Sequence, residues 1–229
     1  MHTKSGGGVK QSTLSNLLRG EGANLSPRTY KRGRDRVFLK QAVSEYDKIM
    51  VNRIIKSFHS YVPQTKRVGR YIDWLIMYNN QVVGAIGIMD TSAFTMGVRD
   101  RFIGWNTEQR KRNIHKIVVN YRFTLLPTAP KNLASKVLSL LVKICGKQWK
   151  EKYGREIVLL EALVKPPRRG ICYKAAGWRL IGMTYGSEET WHGFQNRSEG
   201  RIAKLKFKGQ RLYYFIKPLV KDYLKRLKE

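Results

Sequence analysis

Between Asn132 and Trp178 the chain carries three short segments that set its topology: Pro130-Lys131-Asn132-Leu133-Ala134-Ser135, Ile157-Val158-Leu159-Leu160-Glu161 and Gly170-Ile171-Cys172-Tyr173-Lys174-Ala175-Ala176-Gly177-Trp178. The first opens an apolar helix, the second has the apolar run of a buried strand, and the third is a turn that contains Tyr173. Helix, buried strand and turn in this order predict an α/β unit. The order also favours a catalyst over a protein that only binds through its charge.

The sequence on either side extends this unit into a mixed sheet. Apolar residues recur at helical spacing over Ser44–Phe58, which predicts a helix that ends near His59-Ser60-Tyr61. Asn79-Asn80 suits a two-residue hairpin turn with positive φ between strands Arg70–Tyr78 and Gln81–Met89. The expected fold class is α/β (α+β), a mixed central sheet with flanking helices and one right-handed crossover. The other expected elements are strands Lys116–Leu125, Glu156–Val164, Arg179–Thr184 and Arg211–Ile216, a short helix before Arg179, and helices Asn132–Trp149 and Leu219–Leu227.

Composition bounds the function. The 229 residues are 42% hydrophobic, enough for a core, which excludes a chain that is disordered throughout. Lys and Arg number 45 against 16 Asp and Glu, a net charge of +29 that indicates a polyanionic partner, with nucleic acid favoured over an anionic membrane or a ribosomal setting. Two cysteines, Cys145 and Cys172, are too few for a disulfide framework, and there is no apolar run of about 18 residues to span a membrane. We expect an intracellular, cytoplasmic protein.

Composition also divides the chain. Residues 1–36 are rich in Gly, Ser, Lys and Arg and predict a basic, mobile arm. Residues 37–196 form the expected catalytic domain, and residues 197–229 a basic strand and helix that pack on it. Because the charge is spread over all three parts, it favours broad contact with phosphates over the recognition of particular bases.

Four residues are candidates for chemistry, and each also has a purely structural interpretation. Asn132 either caps its helix or helps its free N–H groups to hold a phosphate. Glu161, in an apolar strand, is either a base with a raised pKa or the partner of a buried arginine such as Arg122. Tyr173 either protonates a leaving group or is a satisfied core tyrosine. His59 could act as a base or bind a metal, but its spacing to His115 and His192 fits no metal motif.

The segments from Arg99 to Trp178 carry a resemblance to a known family. Arg99-Asp100-Arg101-Phe102-Ile103-Gly104-Trp105, Gln109-Arg110, Asn120-Tyr121-Arg122-Phe123-Thr124-Leu125-Leu126-Pro127, Asn132-Leu133-Ala134-Ser135, Leu159-Leu160-Glu161 and Cys172-Tyr173-Lys174-Ala175-Ala176-Gly177-Trp178 resemble the DruA-like family of Druantia anti-phage systems. The resemblance runs from about Phe58 to Leu219. More distantly, the layout is similar to the phage Mom DNA-modification proteins, which are related to the GNAT acyltransferases.

This resemblance implies a GNAT-like domain in which Asn132, Leu133, Ala134 and Ser135 hold an acyl donor and Tyr173 is the general acid. His59 or Glu161 would take the proton of the acceptor amine, with Tyr61, Asn120 and Arg122 in the same site. The chain also departs from these relatives. It lacks the Gln/Arg-x-x-Gly-x-Gly/Ala loop that binds coenzyme A in ordinary acetyltransferases, so the resemblance leaves the donor open between an acyl-CoA and another acyl or aminoacyl compound. Lys165 and Ser60 stand where relatives have Asp and His.

We therefore expect a transferase that adds an acyl-like group to an exocyclic amine of a DNA base. Such an amine is hidden in a duplex, so the base must be flipped out or single-stranded and stacked on an aromatic ring, for which Trp105, Tyr61 and Trp178 are candidates. The alternatives are a non-catalytic DNA-binding component of a defence or mobile-element system, and an RNA-modifying enzyme. The residues expected to contact DNA are Arg99, Arg101, Trp105, Arg110, Lys165, Arg168, Arg169, Lys206 and Lys208.

Overall fold

In the computed structural model, the residues described are 36–59, 67, 69–91, 94–184, 191–192, 204–205 and 211–229. The expected arm at residues 1–36 lies outside them except for Arg36, as do Tyr61, Lys206 and Lys208. The strands are β1 Val37–Gln41, β2 Tyr71–Tyr78, β3 Gln81–Asp90, β4 Ile117–Leu125, β5 Leu159–Val164, β6 Arg179–Met183, β7 Trp191–His192, β8 Lys204–Leu205 and β9 Tyr213–Pro218. The helices are α1 Glu45–Phe58, α2 Gly97–Ile103, α3 Thr107–Asn113, α4 Leu133–Tyr153, α5 Ile171–Ala175 and α6 Tyr223–Lys228, with a 3-10 turn at Ile114–Lys116.

Seven strands of the described chain form one sheet in the order β1-β2-β3-β4-β5-β9-β6. Only β4 and β5 pair in parallel, and α4 connects them, whereas the other neighbours are antiparallel. This is the mixed α/β sheet that the sequence predicted. The C-terminal strand β9 lies between β5 and β6, so it is an inner strand of the sheet.

The local signals in the sequence correspond to real element ends. Ser44 caps α1, its hydroxyl accepting from the Asp47 N–H at 3.1 Å. Asn79 and Asn80 have φ of 48° and 64°, which confirms the hairpin turn between β2 and β3. The sequence missed β1, β7, β8, α2 and α3, because these elements are short and the sequence shows no clear apolar period over them.

Three apolar clusters hold the sheet to its helices. On one face, α4 and α5 cover the central strands, with Trp74, Leu160 and Trp149 buried. On the other face, α1 packs over β2 and β3 through Val51 and Ile54. The third cluster, under α2, α3 and α6, includes Tyr214, Ile216 and Leu227. Within the described residues, no helix is long and apolar enough to cross a membrane.

Candidate active site

The site begins where the two parallel strands part. β4 pairs with β5 only through Ile117–Val119 and Leu159–Glu161, although both strands continue beyond these residues. On its other side β4 has a bulge, since Asn120 pairs with Ile88 and Arg122 with Gly87, which leaves Tyr121 as the extra residue. A bulge increases local twist and bends the strand. The bend and the lost pairing open a gap in the middle of the sheet.

A cavity of about 420 Å³ occupies this gap. Four parts of the chain line it: the residue after α1, the second half of β4, the end of β5, and the loop that leads into α5 together with the first residues of that helix. This volume falls within the range of small-molecule sites. The lining residues are His59, Asn120, Tyr121, Phe123, Leu125, Leu163, Val164, Arg168, Arg169, Gly170, Ile171, Cys172 and Tyr173.

Tyr173 and Asn120 form the fixed side of the cavity. The Tyr173 hydroxyl donates to Asn120 Oδ1 at 2.6 Å. Asn120 Nδ2 donates to the carbonyl oxygens of Gly87 at 2.9 Å and Arg122 at 3.0 Å, across the bulge. The Tyr173 ring stacks on Phe215 with centroids 5.5 Å apart. Two strands and a helix thus hold one phenol at the edge of the cavity.

Gly170 allows this arrangement because it adds no side chain. Its φ of +64° is left-handed, and a Cβ there would lie 2.5 Å from Phe215 Cε2. Such an approach is closer than side chains tolerate, and the conformation favours glycine. Gly170 therefore lets the turn before α5 approach β9, which brings Tyr173 over the gap.

The cavity reaches both faces of the sheet. Ile72 and Trp74 belong to the core under α4, so Asp73 between them points to the opposite face, beside α1. The Tyr121 hydroxyl donates to Asp73 Oδ1, which places Tyr121 on that face, whereas Tyr173 belongs to the core under α4. Two reactants could therefore meet in the gap from opposite sides.

His59 directly follows α1 and lines the cavity. Burial, followed by the positive charges of Arg122 and Arg168, lowers the pKa of His59 to about 4. The imidazole is therefore neutral near pH 7, the form that can accept a proton. Arg122 itself does not line the cavity: its Nη1 donates to the Tyr121 carbonyl oxygen at 2.7 Å, and its guanidinium lies 5.3 Å from the Tyr121 ring centroid.

The charged groups at the mouth of the cavity are cationic. Arg168 and Arg169 line it and are exposed, and the half-buried Lys165 begins the same loop. The lining residues named above include no Asp or Glu. These charges would attract an anionic ligand such as a phosphate.

Glu161 does not belong to this cavity. Its backbone pairs with Val119 and Ile216. Its side chain is 1% exposed and lies under α2, in a small group of buried polar side chains. It accepts hydrogen bonds from Tyr214 and Thr91, and Arg99 Nη1 lies 3.5 Å from its Oε2. The structure thus supports the scaffold interpretation of Glu161, with Arg99 rather than Arg122 as the buried partner.

Burial corrects several of the predicted contacts with DNA phosphates and bases. Arg99 is 0% exposed and Trp105 is 8% exposed, so neither presents its side chain to a ligand at the surface. Trp178, 4% exposed, packs its ring edge-on against Tyr173 and does not line the cavity. Arg110 is mostly buried and forms an ion pair with Asp100 at 3.2 Å. These four predictions are wrong because each side chain is buried against other residues of the protein and not presented at its surface.

Other predicted contacts remain compatible with the structure. Arg101, Arg168 and Arg169 are exposed, and Lys165 is half-buried. Tyr61, Lys206 and Lys208 lie outside the described residues, so their predicted roles stay predictions.

The start of α4 differs from the expected cap. Asn132 is left-handed, with φ of 63°, and its side chain makes no capping hydrogen bond. Leu133 is buried in the core and its N–H lies 3.4 Å from the Pro130 carbonyl oxygen, so it is scaffold. Ala134 and Ser135 are half-buried. None of these four residues lines the cavity. Leu125 at the end of β4 does line it, and the loop from Leu125 to Asn132 connects the cavity to the start of α4.

Sequence reasoning missed Tyr121, Phe123, Leu163 and Cys172 as lining residues. The alternation of a strand cannot locate a bulge, so no sequence signal indicated the position of Tyr121.

Burial raises the pKa of the Cys172 thiol, which keeps it protonated and unsuited to act as a nucleophile. In the described part of the chain, His, Cys, Asp and Glu form no group of three or more that could hold a metal ion.

Comparison with solved structures identifies the fold. AAC(6')-Ib in complex with paromomycin and acetyl-CoA matches with a TM-score of 0.50 and 13% identity, covering 85% of this chain and 99% of that chain. The IAA acetyltransferase from Bacillus cereus is also similar, with a TM-score of 0.47, 12% identity, and coverage of 80% of this chain and 99% of that chain. The chain therefore has the GNAT acetyltransferase fold. No curated protein sequence matches it.

Sequence comparison gives the family. Residues 36–194 match the family described as Druantia protein DruA. The match begins one residue before β1 and ends beyond β7, so it includes the strand gap and every residue that lines the cavity. This chain belongs to the DruA family.

Proposed function

We propose that this protein transfers an acyl-like group to an exocyclic amine of a DNA base. The observation that carries the proposal is the cavity in the strand gap, where His59, Asn120 and Tyr173 come together from three distant parts of the chain. The acetyltransferase fold supports a group transfer of this class, because the likeness extends over most of the chain. The resemblance to the Mom proteins supports a nucleobase as the acceptor.

The proposed reaction gives each residue one task. The amine nitrogen attacks the acyl carbon, forming the C–N bond, and its proton passes to the neutral imidazole of His59. The bond from the acyl carbon to the leaving atom breaks, and Tyr173 protonates that atom. Asn120 accepts a hydrogen bond from the Tyr173 hydroxyl at 2.6 Å and so fixes the phenol at the edge of the gap.

The donor would approach along the face of α4 and α5. The first N–H groups of a helix have no partner within the helix and favour phosphate groups. Ala134 and Ser135 supply such groups at the start of the 21-residue helix α4, and their small side chains leave room. An acyl-CoA, or another acyl or aminoacyl donor with a phosphate, would lie between this helix start and the cavity.

The acceptor strand would be held by charge. A net charge of +29 favours a polyanion, and Arg168 and Arg169 are exposed at the cavity mouth. These arginines would hold the phosphates beside a flipped or single-stranded base. Arg101, Lys165, Lys206 and Lys208 would extend the contact. A role in anti-phage defence in the cytoplasm, where phage DNA is met, belongs to the same proposal.

The test is mass spectrometry of nucleosides digested from the DNA of cells that express the chain. A heavier nucleoside should form with the wild type and disappear with Tyr173→Phe. Tyr46→Phe is the matched control, since Tyr46 is 58% exposed on α1 and does not line the cavity. If the folded wild-type protein gives only ordinary nucleosides, the proposed reaction is wrong.

A second candidate is a DNA-binding component of a defence system that performs no transfer. The low pKa of His59 favours it, because a group with a pKa of about 4 is a weak base, and Glu161, the other candidate base, does not line the cavity. This candidate predicts no product and a DNA affinity that Tyr173→Phe leaves unchanged. Tighter binding of structured RNA than of DNA would instead favour an RNA substrate.

A further inference from the structure

One aromatic ring in the cavity is held by a buried polar network. Tyr121, the extra residue of the β4 bulge, accepts a hydrogen bond from Arg67 Nε at 2.9 Å and donates one to Asp73 Oδ1. Arg67 Nη2 lies 2.7 Å from Asp73 Oδ2, and both side chains are less than a tenth exposed. Arg67 Nη1 also donates to Asn52 of α1. The network fixes the hydroxyl of Tyr121 and leaves its ring at the cavity.

The sheet provides a place for this ring. A Cβ at Gly87 would lie 2.2 Å from Asp73 Oδ1 and 2.6 Å from Tyr121 Cε1. Only glycine leaves that space, so the ring rests against the backbone of β3. The guanidinium of Arg122 lies 5.3 Å from the ring centroid. Proteins stack unpaired bases on aromatic rings, and among these two groups only the Tyr121 ring lines the cavity.

Among the aromatic side chains that the structure describes around the gap, the others are less suited to stacking a ligand. Trp105 and Trp178 are buried and do not line the cavity. The Tyr173 ring already stacks on Phe215, and Trp178 packs edge-on against it at 5.1 Å. Phe123 lines the cavity but meets Tyr173 edge-on, so its packing belongs to the core under α4.

We propose that the Tyr121 ring is the platform on which the acceptor base lies, and that Asp73 and Arg67 are positioning residues that keep the ring in place. This inference rests on the proposed function, because it assumes a base as the acceptor. It places the base on the face of α1, next to His59, and opposite the Tyr173 side of the gap. The specificity would be for a flat heteroaromatic ring, since a π surface stacks any base.

Binding of short single strands tests the platform without requiring the reaction. One oligonucleotide carries a single 2-aminopurine among abasic positions, and the second is wholly abasic. The wild type should bind the first more tightly and quench its fluorescence. Tyr121→Leu should bind it about 5- to 150-fold more weakly, which corresponds to one stacked base, and should bind the abasic strand unchanged. Tyr121→Phe keeps the ring and should lose less, whereas Tyr46→Leu should match the wild type.

The outcomes separate the platform from the function. If the wild type binds both strands equally, no base enters the cavity and the proposed acceptor fails along with the platform. If the wild type prefers the base and Tyr121→Leu keeps that preference, only the platform is wrong. Should Tyr121→Leu fail to fold, photocrosslinking of the wild type to a strand with one 5-iodouracil gives the answer. A crosslink on Tyr121 is expected, and a crosslink on Phe123 or Tyr173 instead would overturn the platform.

Discussion

Glu161→Gln should weaken the fold and leave the chemistry of the cavity intact. The Glu161 carboxylate is 1% exposed and is bound by Tyr214, Thr91 and Arg99. Burial, followed by the negative charge of Glu161, raises the pKa of the Tyr214 hydroxyl, so this phenol stays protonated and donates to the carboxylate. A glutamine keeps the shape of the side chain but removes the charge that compensates Arg99.

The expected loss of unfolding free energy depends on the partners that Arg99 retains in the variant. Removing one partner of a buried ion pair costs about 3–5 kcal/mol. Arg99 keeps Asp100 at 3.2 Å and donates to the Phe94 carbonyl oxygen at 2.9 Å, so the lower end, about 3 kcal/mol, is expected. For a chain of this size, each kcal/mol lowers Tm by about 2–4 °C, which gives a fall of about 6–12 °C.

Thermal and urea unfolding measure this change, and the nucleoside assay below the new Tm measures the chemistry. Glu156→Gln is the matched control, since Glu156 is exposed and its ion pair with Arg226 lies in water, where such pairs contribute little. A Glu161→Gln protein of unchanged stability that forms no product would refute the reasoning, because Glu161 would then act in the reaction and not in the scaffold.

Three further predictions concern the cavity. The His59 imidazole is neutral in the folded chain down to pH about 4 but charged in the unfolded chain below its ordinary pKa of 6.5. The unfolding free energy should therefore fall as pH drops from 6.5 to about 4, and the unfolding free energy of His59→Gln, measured in urea, should depend less steeply on pH. Gly170→Ala should lower the unfolding free energy by about 1–3 kcal/mol, whereas Gly146→Ala, with nothing within 4 Å, should not lower it in the same melt. Arg168→Ala should reduce the slope of log affinity for single-stranded DNA against log salt by about 0.7, and an unchanged slope would exclude a phosphate contact.

The sequence was sufficient for the local parts of this fold. The hairpin at Asn79-Asn80 and the start of the helix at Ser44 depend on a few neighbouring residues, so short-range rules locate them. The helix α4 and the strands around it follow from apolar periodicity, and the order of elements then predicts a mixed sheet. His59, Asn120 and Tyr173 were identified from residue type and resemblance, and the structure brings all three to one cavity.

Whether a side chain points to the surface or into a core could be assigned only from the tertiary structure. Arg99 and Arg168 look alike in sequence, yet one is 0% exposed beside Glu161 and the other stands at the cavity mouth. Neighbouring residues on a strand point to opposite faces, so Glu161 could be assigned to a core only once the register of β5 against β4 and β9 was known.

Sequence alone therefore determined that the sheet is mixed, that the chain is strongly basic, and three of the side chains that meet in the gap. The fold in three dimensions determined where the gap opens, because the bulge at Tyr121 and the end of pairing after Val119 and Glu161 depend on contacts between strands far apart in the chain. It likewise assigned Asp73 and Arg67 to one network, which no local pattern indicates. Buried charges must find partners, and only packing selects them.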